Sequence, residues 1–532
     1  MAARAEAIQR TAPTESVWVR WLMPSVSDVI FVALLCKLAF WSEQLLADAD
    51  IGWHIRNGEH ILSTVSVPRT DYFSYTMAGQ PWYSWEWLYD VLVAGLNSLG
   101  GLNAVVLFSA ILFAAIFMLV FRATLKSSGN LLIALLFTLL AGIASSVHLL
   151  ARPHMLTWLF TLILLLGLRS FHLGDRKRVY FIPLLMALWV NLHGGFLAGV
   201  ALIALFCLAD LWTMTTTSHA QLRAGAAVRT RHLGWILLIS SLATMATPYG
   251  LRLYGHLYQY LGNRYLMEHI AEFQSPDFHA FQIKMFAALL LIAFVVLGVE
   301  RKRAGALDLL LVTFSAWIGL YAARNIPLAT IILSVTLAPK LAHILRHSAT
   351  DPDFALPLRR ALGKIESFAT RMAALELRFN RHLLAGIVLL AISVVSLTAG
   401  ARPQKGLAVQ FEAKRMPLGA AEFMATHGIR SHFFASDAWS GYLIYRLYPD
   451  VRVMMDDRHD FYGESYVREY LKIAQVNYGW LDALNKKEVN WVLASPDSGL
   501  ANTLKLAEGW EPVYDDGIAI IFARKRRAGG GQ

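Results

Sequence analysis

The amino-acid sequence predicts a polytopic α-helical membrane protein that ends in a small soluble α/β domain. Of its 532 residues, 56% are hydrophobic and only 16% are charged, whereas soluble domains carry about 25% charged residues. Apolar stretches recur up to about Thr398, and many approach the roughly 20 residues that a helix needs to cross a bilayer. Beyond Arg402 these stretches give way to shorter patterns. The sequence therefore divides into a membrane domain, residues 1–401, and an extracytoplasmic domain, residues 402–532.

About eleven apolar stretches qualify as membrane spans. The mean hydropathy of +0.46 agrees with a chain that is mostly membrane-embedded. The segment before the first stretch lacks the apolar core and small-residue cleavage site of a signal peptide, so we expect the first span to remain as an anchor. The predicted spans are residues 28–46, 102–121, 130–148, 154–171, 179–192, 195–215, 234–247, 283–299, 307–322, 326–344 and 383–399.

The basic residues predict the orientation of these spans, because cytoplasmic loops are enriched in Lys and Arg. Every second loop is basic, which predicts a cytoplasmic N-terminus and an extracytoplasmic tail after Ala401. Residues 86–99 are apolar enough for half a span, but a crossing there would reverse the alternation. We therefore expect them to form an interfacial or re-entrant helix. The basic clusters are Arg122 with Lys126; Arg176, Lys177 and Arg178; Arg223, Arg229 and Arg231; Arg301, Lys302 and Arg303; and the segment 340–381.

The charge, the cysteines and the tail limit the function classes further. The net charge of +11 is spread over short clusters, so the sequence predicts no nucleic-acid partner. Cys36 and Cys207 fall inside apolar runs, which excludes a disulfide framework and a Cys-based metal site. In the tail, the apolar runs VRVMM and IAIIFA are typical of strands, and the stretch SYVREYLKIAQ is typical of a helix.

The first predicted outer loop, residues 47–101, is long, aromatic and acidic where the first span leaves the membrane. It contains Asp48 and Asp50, separated by one residue. In an extended segment, carboxylates at this spacing point the same way, so they are candidates to share a divalent cation such as Mg²⁺ or Mn²⁺, or to supply a base. His54 nearby favours a functional site. The alternative is an acidic turn at the wet end of a helix.

Cationic, imidazole and amide side chains recur where later spans reach the same outer face. Ionisable residues at membrane depth are costly, so each is a candidate site residue. Arg152 and Arg324 both lie opposite the acidic loop, which favours a clamp on a phosphate group; snorkelling to lipid headgroups is the alternative for each. Asn191 and His193 either bind substrate or bond between helices, which the glycines after them permit. The outer donor or substrate candidates are His54, Arg152, His154, Asn191, His193, Tyr249 and Arg324.

Two further segments offer acidic candidates on the outer face. The loop after Thr247 contains Glu272 and Asp277, which could complete a metal site or bind an acceptor, unless it forms only a solvated helix. In the tail, FASDAWSGYLIYRLYPDVRVMMDDRHDFYGESY suggests a ligand-facing loop, although the WSGY turn and the DDR segment could be purely structural. The tail candidates are Asp437, Trp439, Asp456, Asp457, Arg458 and Tyr462. GxSxG, Walker, GxGxxG and HExxH motifs are absent from the sequence, so the usual soluble enzyme classes lose support.

The segments DADIGWHIRNGEHIL and VPRTDYFSYTMAGQPWYSWEWL, followed by ARPH, NLHGG, TPYG and ARN, resemble a widespread group of uncharacterised bacterial membrane proteins. That group is similar to a branch of the GT-C glycosyltransferase superfamily. The resemblance continues into the tail through SGYLIYRLYPDVRVMMDDRHDFYGE. It implies a GT-C-like domain in the bacterial inner membrane, which transfers a sugar from a polyprenyl-phosphate or polyprenyl-pyrophosphate carrier at the outer face.

Members of the superfamily carry an essential acidic residue in the first outer loop, a role that would fall on Asp50 or Asp48. Arg152, His154 and Arg324 would by position hold the carrier phosphate. The large tail and the WWDYG-type motif of oligosaccharyltransferases are absent, so transfer of a single sugar to a glycan, lipid or protein acceptor is expected. The alternatives are a non-catalytic envelope assembly or binding protein, a ligase of lipid-linked glycans, and a transporter.

Overall fold

The computed structural model describes residues 23–301, 303–379, 382–401 and 408–525. The predicted boundary between the two domains at residue 402 lies outside the described residues. The α-helices are α1 Val26–Phe40, α2 Ile51–Thr64, α3 Trp87–Ser128, α4 Leu131–Ser145, α5 His154–His172, α6 Ile182–Trp189, α7 Phe196–Thr216, α8 Ala220–Ala243, α9 Arg252–Leu261, α10 Arg264–His269, α11 Phe281–Val299, α12 Ala306–Tyr321, α13 Ile326–Ser348, α14 Leu356–Glu376, α15 Leu383–Ala401, α16 Leu418–Thr426, α17 Asp437–Leu447, α18 His459–Ala474, α19 Trp480–Lys486 and α20 Gly499–Leu506. The strands are β1 Phe433–Ala435, β2 Trp491–Ala494, β3 Trp510–Asp515 and β4 Ile520–Arg524.

Seven helical segments in the described part of the chain are long and apolar enough to cross a membrane, and they make the chain a membrane protein. They correspond to α3, α4, α5, α7, α11, α13 and α15. All eleven predicted spans overlap α-helices, but four of these helices are not long and apolar enough to cross a membrane. Helices α1, α6 and α12 are shorter than a membrane span. Helix α8 begins at Ala220, well before the predicted span 234–247, because the basic segment ahead of that span is helical too.

Local sequence signals explain where several helices begin and end. Helix α1 begins at a capping box, in which the Ser25 and Asp28 side chains each accept a backbone N–H of the other residue. Helix α3 ends at Ser128 and is followed by Gly129, whose φ of 64° is a left-handed conformation that suits glycine. Asn130 follows at once, and its side chain accepts the N–H of Ile133 to begin α4.

Helix α3 is broken between its apolar halves at Gly100 and Gly101. Gly101 has a φ of 61° and Gly100 is also outside the helical region, so residues 87–99 form a segment distinct from the long span after it. A Cβ at Gly400 of α15 would lie only 1.9 Å from the Gly100 carbonyl oxygen. Helix α15 therefore packs closely against α3 at this break. The break itself agrees with the predicted separate helix at residues 86–99.

The two ends of the helical bundle differ in their polar groups. At one end, Asp210 of α7 pairs with His172 of α5 at 3.0 Å and with Arg229 of α8 at 2.7 Å. Lys340 of α13 similarly pairs with Asp308 of α12 at 2.6 Å. The first residues of α5, α7 and α13 lie at the other end, where they surround a large cavity. Arg229 and Lys340, from two of the predicted basic segments, thus lie at the end opposite the cavity.

The tail folds around a four-stranded sheet of order β1-β2-β4-β3. Strands β1 and β2 are parallel, and the other pairs are antiparallel. The run IAIIFA contributes to β4 as predicted, and SYVREYLKIAQ lies mostly in α18. The run VRVMM lies outside this sheet. Its Val453 forms an isolated bridge with Ser74 of the first outer loop, because Val453 exchanges backbone hydrogen bonds with Phe73 and Tyr75.

The tail packs tightly on helix α2 of the first outer loop. Gly52 of α2 faces Gly441 of α17: a Cβ at Gly52 would lie 2.2 Å from the Gly441 oxygen, and one at Gly441 would lie 2.4 Å from the Ala49 oxygen. The predicted WSGY turn is therefore wrong, since these residues lie within α17 and allow it to contact α2 closely. Arg56 of α2 also donates to the Tyr445 carbonyl oxygen.

Candidate functional site

A cavity of about 490 Å³ lies where the outer helix ends, the first outer loop and the tail meet. Its walls differ in polarity. Part of the lining carries carboxyl, guanidinium and imidazole groups, and another part is formed by apolar side chains of α7, α9, α12 and α13 such as Leu197, Leu257, Trp317 and Leu328. Trp317 is itself 62% exposed, so the apolar part of the lining reaches the surface of the helical bundle.

Asp48 and Asp50 lie in a tight turn and not in the extended segment that the sequence analysis assumed. The Asp48 side chain accepts the N–H of Asp50 at 2.9 Å, as short acidic side chains do in turns. Asp50 is the N-cap residue of α2, but its carboxylate caps no helix N–H, although Asp at this position usually does. Its side chain points instead toward Arg152.

Arg152 holds three carboxylates at once. Its Nη1 lies 2.8 Å from Asp48 Oδ2 and 2.6 Å from Glu272 Oε1, and its Nη2 lies 2.7 Å from Asp50 Oδ2. This geometry joins the first outer loop to the second acidic loop. The predicted pairing of the acidic loop with Arg152 is present, but both Nη atoms are already occupied by carboxylates.

Glu272 also connects Arg152 to Arg324. Its second oxygen lies 3.5 Å from Arg324 Nη1, and the Arg324 guanidinium stacks over the Phe273 ring at 4.7 Å. Burial alone would raise the pKa of Glu272, but the charges of Arg152 and Arg324 outweigh it and hold that pKa well below its usual range. Glu272 is therefore ionised, and Arg324 has fewer carboxylate contacts than Arg152.

Asp457 of the tail reaches the first-loop carboxylates. One oxygen of each of Asp48, Asp50 and Asp457 lies within 4.8 Å of the others. Burial, followed by the charge of Asp50, raises the pKa of Asp457 well above its usual range. Asp50 is only 2% exposed, and its Oδ1 has no hydrogen-bond partner among the described residues. Three carboxyl groups and an unpaired buried oxygen match the all-oxygen ligand set that Mg²⁺, Mn²⁺ or Ca²⁺ prefers.

Asp457 also belongs to a second group, with Asp437 and His459. His459 Nε2 lies 3.5 Å from Asp437 Oδ2. Burial would lower the pKa of His459, but hydrogen bonding to Asp437 and its charge raise it. The Tyr470 hydroxyl lies 3.2 Å from Asp437 Oδ1 and keeps that carboxylate in place.

The cavity lining also contains Glu86, which lies between two imidazoles. Glu86 Oε2 lies 3.9 Å from His54 Nε2, and Oε1 lies 3.7 Å from His193 Nε2. His193 is held by Thr157, whose hydroxyl lies 2.8 Å from its Nδ1. A Cβ at Gly195 would lie 2.4 Å from Thr157 Oγ1. The second glycine of the NLHGG motif thus permits the contact that orients His193.

A buried hydrogen-bond network fixes the first outer loop behind His54. Asp90 Oδ1 lies 2.6 Å from His54 Nδ1, and Asp90 Oδ2 accepts from Asn57. Ser84 donates its N–H to the Tyr249 hydroxyl at 2.7 Å. Tyr249, a predicted substrate-binding residue, is therefore engaged with the loop backbone and lies outside the cavity lining. Burial lowers the pKa of His54 to about 3, so its ring is neutral.

Two other predicted binding residues make contacts within the protein. The Asn191 amide donates to the carbonyl oxygens of Ala187 and Ala246, and its own oxygen accepts from Trp87 Nε1 at 2.8 Å. These bonds match the alternative of bonding between helices. His154 lines the cavity with its ring, but its Nε2 lies 2.9 Å from the His148 carbonyl oxygen.

Arg458 anchors the tail to the first outer loop. Its guanidinium is buried and contacts Asp71 at 2.7 Å and Asp456 at 2.7 Å, while the Trp82 ring lies 4.4 Å away. The Tyr462 hydroxyl completes this cluster with a 3.1 Å bond to Asp456. The structure thus places Arg458 and Tyr462 beside the cavity, in a connection between two segments of the chain.

The remaining predicted residues lie away from the cavity. Asp277 accepts the N–H of His279 in an exposed turn. Trp439 is buried and donates from Nε1 to the Arg415 carbonyl oxygen. The sequence analysis did not select Glu86, because it is the first residue of the segment 86–99 that was expected to form an interfacial or re-entrant helix. It also did not select His148, although that residue lies only four positions before Arg152. Further lining residues that were not selected are Tyr83, Asp90, Tyr260 and Asp460.

No protein-family model and no curated protein matches the chain. Among solved structures, the oligosaccharyltransferase of Archaeoglobus fulgidus in its apo form is similar over 94% of this chain and 74% of its own, with 11% identity and a TM-score of 0.53. The same protein tethered to an acceptor peptide containing the NVT sequon has a TM-score of 0.51 over the same shares, also at 11% identity. ArnT from Cupriavidus metallidurans, bound to undecaprenyl phosphate, is 15% identical over 95% of this chain and 99% of its own, with a TM-score of 0.43.

These identities are low, so the likeness to the oligosaccharyltransferase concerns the fold. It extends over nearly the whole chain and includes the tail as well as the membrane helices. The chain therefore has the GT-C-like fold that its sequence predicts.

Proposed function

We propose that the protein is a membrane glycosyltransferase that transfers a sugar from a polyprenyl-phosphate-linked donor to an acceptor at the outer face of the bacterial inner membrane. The observation that carries this proposal is that Asp50 and Arg152, whose guanidinium also contacts Asp48, line a cavity with both charged and apolar side chains. A lipid-linked sugar has the same two-sided character. The similarity in fold to an oligosaccharyltransferase supports the same reaction class.

In this proposal Asp50 activates or orients the acceptor hydroxyl as a base. Arg152 is the positioning residue, because its contacts with both loop carboxylates fix the Asp50 side chain in the cavity. Arg324 contacts the departing phosphate, since its nearest carboxylate is 3.5 Å away and its guanidinium lies at the cavity wall. Charge stabilisation of this kind is a large contribution to group transfer.

A divalent ion is compatible with the residues around Asp50. Four carboxyl groups lie close to the two guanidinium groups of Arg152 and Arg324. They belong to Asp48, Asp50, Glu272 and Asp457. The excess of carboxyl groups over guanidinium groups would repel the phosphate of an anionic donor. An Mg²⁺ or Mn²⁺ ion held by Asp48, Asp50 and Asp457 would neutralise phosphate charge there, and Asp50 would then orient the acceptor through the ion instead of accepting its proton.

The orientation and the domain division complete the proposal. The basic clusters at the far end of the bundle would face the cytoplasm. The cavity and the tail from residue 402 onward would then face outward, where the donor sugar and the acceptor meet. The carrier chain would leave the cavity past the apolar wall that contains Leu197 and Trp317.

The direct test is transfer of radiolabelled sugar from a bacterial lipid extract by purified protein in lipid nanodiscs. We expect wild type to transfer label, and Asp50→Asn to lose at least about a hundredfold in rate because the base is removed. Asp497→Asn, an exposed change in the tail, is the matched control. Thermal melts establish that each variant is folded. The proposal would be contradicted if wild type transferred no label to the acceptor fraction, or if Asp50→Asn transferred label at the same rate as the control.

A further inference from the structure

Glu86 is a cavity carboxyl group that the proposed chemistry does not use. Within 4.0 Å its oxygens have two basic partners among the described residues, His54 at 3.9 Å and His193 at 3.7 Å. Arg152 and Arg324 instead hold Glu272 and the first-loop carboxylates. Glu86 therefore remains available to a ligand in the cavity.

The hydrogen-bond roles of the two imidazoles follow from their other ring nitrogens. The N–H of Gly195 donates to His193 Nδ1 at 3.0 Å, so in the neutral ring the proton is on Nε2, which faces Glu86. His54 Nδ1 lies 2.6 Å from Asp90 Oδ1; with Asp90 accepting, Nε2 of His54 is an acceptor. The group thus presents one N–H donor, one nitrogen acceptor and a carboxyl between them.

An aromatic surface adjoins this polar group. Trp85, the residue before Glu86, lines the cavity. Its ring packs edge-on against His256 at 5.7 Å and Tyr260 at 6.4 Å, and Tyr83 stacks on His256 at 4.5 Å. A pyranose has an apolar C–H face and a hydroxyl rim, and an aromatic wall with a few convergent polar groups suits both.

We propose that Glu86, His54 and His193 bind hydroxyl groups of the donor sugar, with Trp85 against the apolar face of its ring. This inference rests on the proposed function, which assigns the donor phosphate to Arg324. Glu86 lacks a cationic Lys or Arg neighbour within 4.0 Å among the described residues, so its subsite suits an uncharged hydroxylated ring and disfavours a phosphate. The sugar and the phosphate of one donor would thus contact different residues of the same cavity.

Binding of two lipids separates this subsite from the rest of the cavity. The probes are undecaprenyl phosphate and undecaprenyl phosphate carrying glucose, mannose or galactose, titrated into wild type and Glu86→Ala in nanodiscs. We expect Glu86→Ala to weaken the best-bound glycosylated lipid by about tenfold, as the loss of a hydrogen-bonding carboxyl implies. Its affinity for undecaprenyl phosphate should stay within about twofold, since that lipid has no sugar to contact Glu86.

Glu268→Ala is the matched control, because Glu268 is exposed and pairs only with Arg264 among the described residues; it should bind every lipid as wild type does. An equal loss for the bare and the glycosylated lipids, or no loss for either, would overturn the sugar subsite. The subsite would also be overturned if wild type bound undecaprenyl phosphate but bound none of the glycosylated lipids more tightly than this bare carrier. Failure of wild type to bind any of these lipids would instead contradict the proposed function itself.

Discussion

Arg152 and Arg324 lie at one wall of the cavity but have different numbers of carboxylate partners. Arg152 contacts Asp48, Asp50 and Glu272 at 2.6 to 2.8 Å. Arg324 has one carboxylate contact, at 3.5 Å. The sequence suggested that the two act together as a clamp. The structure instead favours a division in which Arg152 positions the carboxylates and Arg324 meets the donor phosphate.

This division predicts different kinetics for the two arginines. Arg324→Met should raise the donor KM by about tenfold or more, because one charge-assisted contact contributes roughly 1.5 to 3 kcal/mol. Its melting temperature should remain near that of wild type. Arg152→Met should lower kcat and stability together, since it leaves three carboxylates without their shared cation. Steady-state transfer with varied donor measures both effects, and an unchanged donor KM for Arg324→Met would contradict the assignment.

Arg458 is predicted to matter for stability. It is 3% exposed and contacts Asp71 and Asp456, so Arg458→Met would leave two buried carboxylates unpaired. Breaking a buried ion pair in this way costs about 3 to 5 kcal/mol. Denaturation of the purified protein should show this loss. The exposed Arg264 is the control, and Arg264→Met should change stability by less than about 1 kcal/mol. Equal stability of the two variants would show that Arg458 is not the anchor.

Some of these residue roles were accessible from sequence and others were not. Arg152, Arg324 and the Asp48–Asp50 pair were predictable, because ionisable residues at membrane depth are costly to keep. Neighbouring side chains in an extended backbone point to opposite sides, so only one of Asp456 and Asp457 was expected to face the site. The sequence did not show which one. Asp456 faces Arg458, while Asp457 faces the first outer loop.

At the scale of elements, the contact between α2 and α17 brings the tail to the first outer loop. Both helices have a glycine at the crossing, and either Cβ would lie within 2.4 Å of the opposing backbone. The sequence analysis assigned the second of these glycines to a turn. A turn and a helix crossing both require a small residue, so the residue type alone did not distinguish them.

Gly441→Ala tests this crossing. Its Cβ would lie 2.4 Å from the Ala49 oxygen and 3.1 Å from the Asp50 nitrogen, so the helices must separate or shift. We expect a loss of about 1 to 3 kcal/mol in stability and reduced transfer, because the backbone at Asp50 moves. Gly234→Ala is the control within a helix, since nothing lies within 4 Å of its added Cβ. Wild-type stability and transfer rate in Gly441→Ala would contradict a close crossing.

The membrane helices were the most predictable elements. Their apolar stretches are easily recognised, so all eleven predicted spans overlap α-helices, and seven of those helices are long and apolar enough to cross a membrane. The break at Gly100 and Gly101 agrees with the expected separate helix at residues 86–99. The run VRVMM was assigned to a strand by its apolar pattern, but that pattern does not identify the pairing partner. The partner belongs to the first outer loop, nearly 380 residues away by the spacing of Tyr75 and Val453.

At the scale of the whole molecule, the tail and the membrane domain together form the candidate site. Asp457 meets Asp50 from the tail, and Arg458 secures the same connection. The cavity is therefore complete only when both parts are present. The sequence predicted each part separately, but it could not predict that the tail would cover the outer loop. Such long-range pairing leaves no local periodicity in the sequence.

Mn²⁺ binding tests whether the tail contributes to the cation site. Added Mn²⁺ should stabilise wild type by about 2.7 kcal/mol at roughly a hundredfold excess over Kd, because it binds only the folded cluster. Asp457→Asn should reduce this stabilisation strongly, and Asp497→Asn, an exposed change in the tail, should preserve it. Thermal melts with and without Mn²⁺ measure the effect. An identical Mn²⁺ response in Asp457→Asn and wild type would exclude Asp457 as a ligand.

The central claim is that a lipid-linked sugar binds in the cavity beside Asp50. Electron cryomicroscopy of the protein in nanodiscs loaded with undecaprenyl phosphate-glucose tests it most directly. The account predicts phosphate density at Arg324, sugar density between Glu86 and Trp85, and the isoprenoid chain leaving past Trp317. Lipid density at another surface of the protein, with the cavity beside Asp50 containing only solvent, would contradict the account.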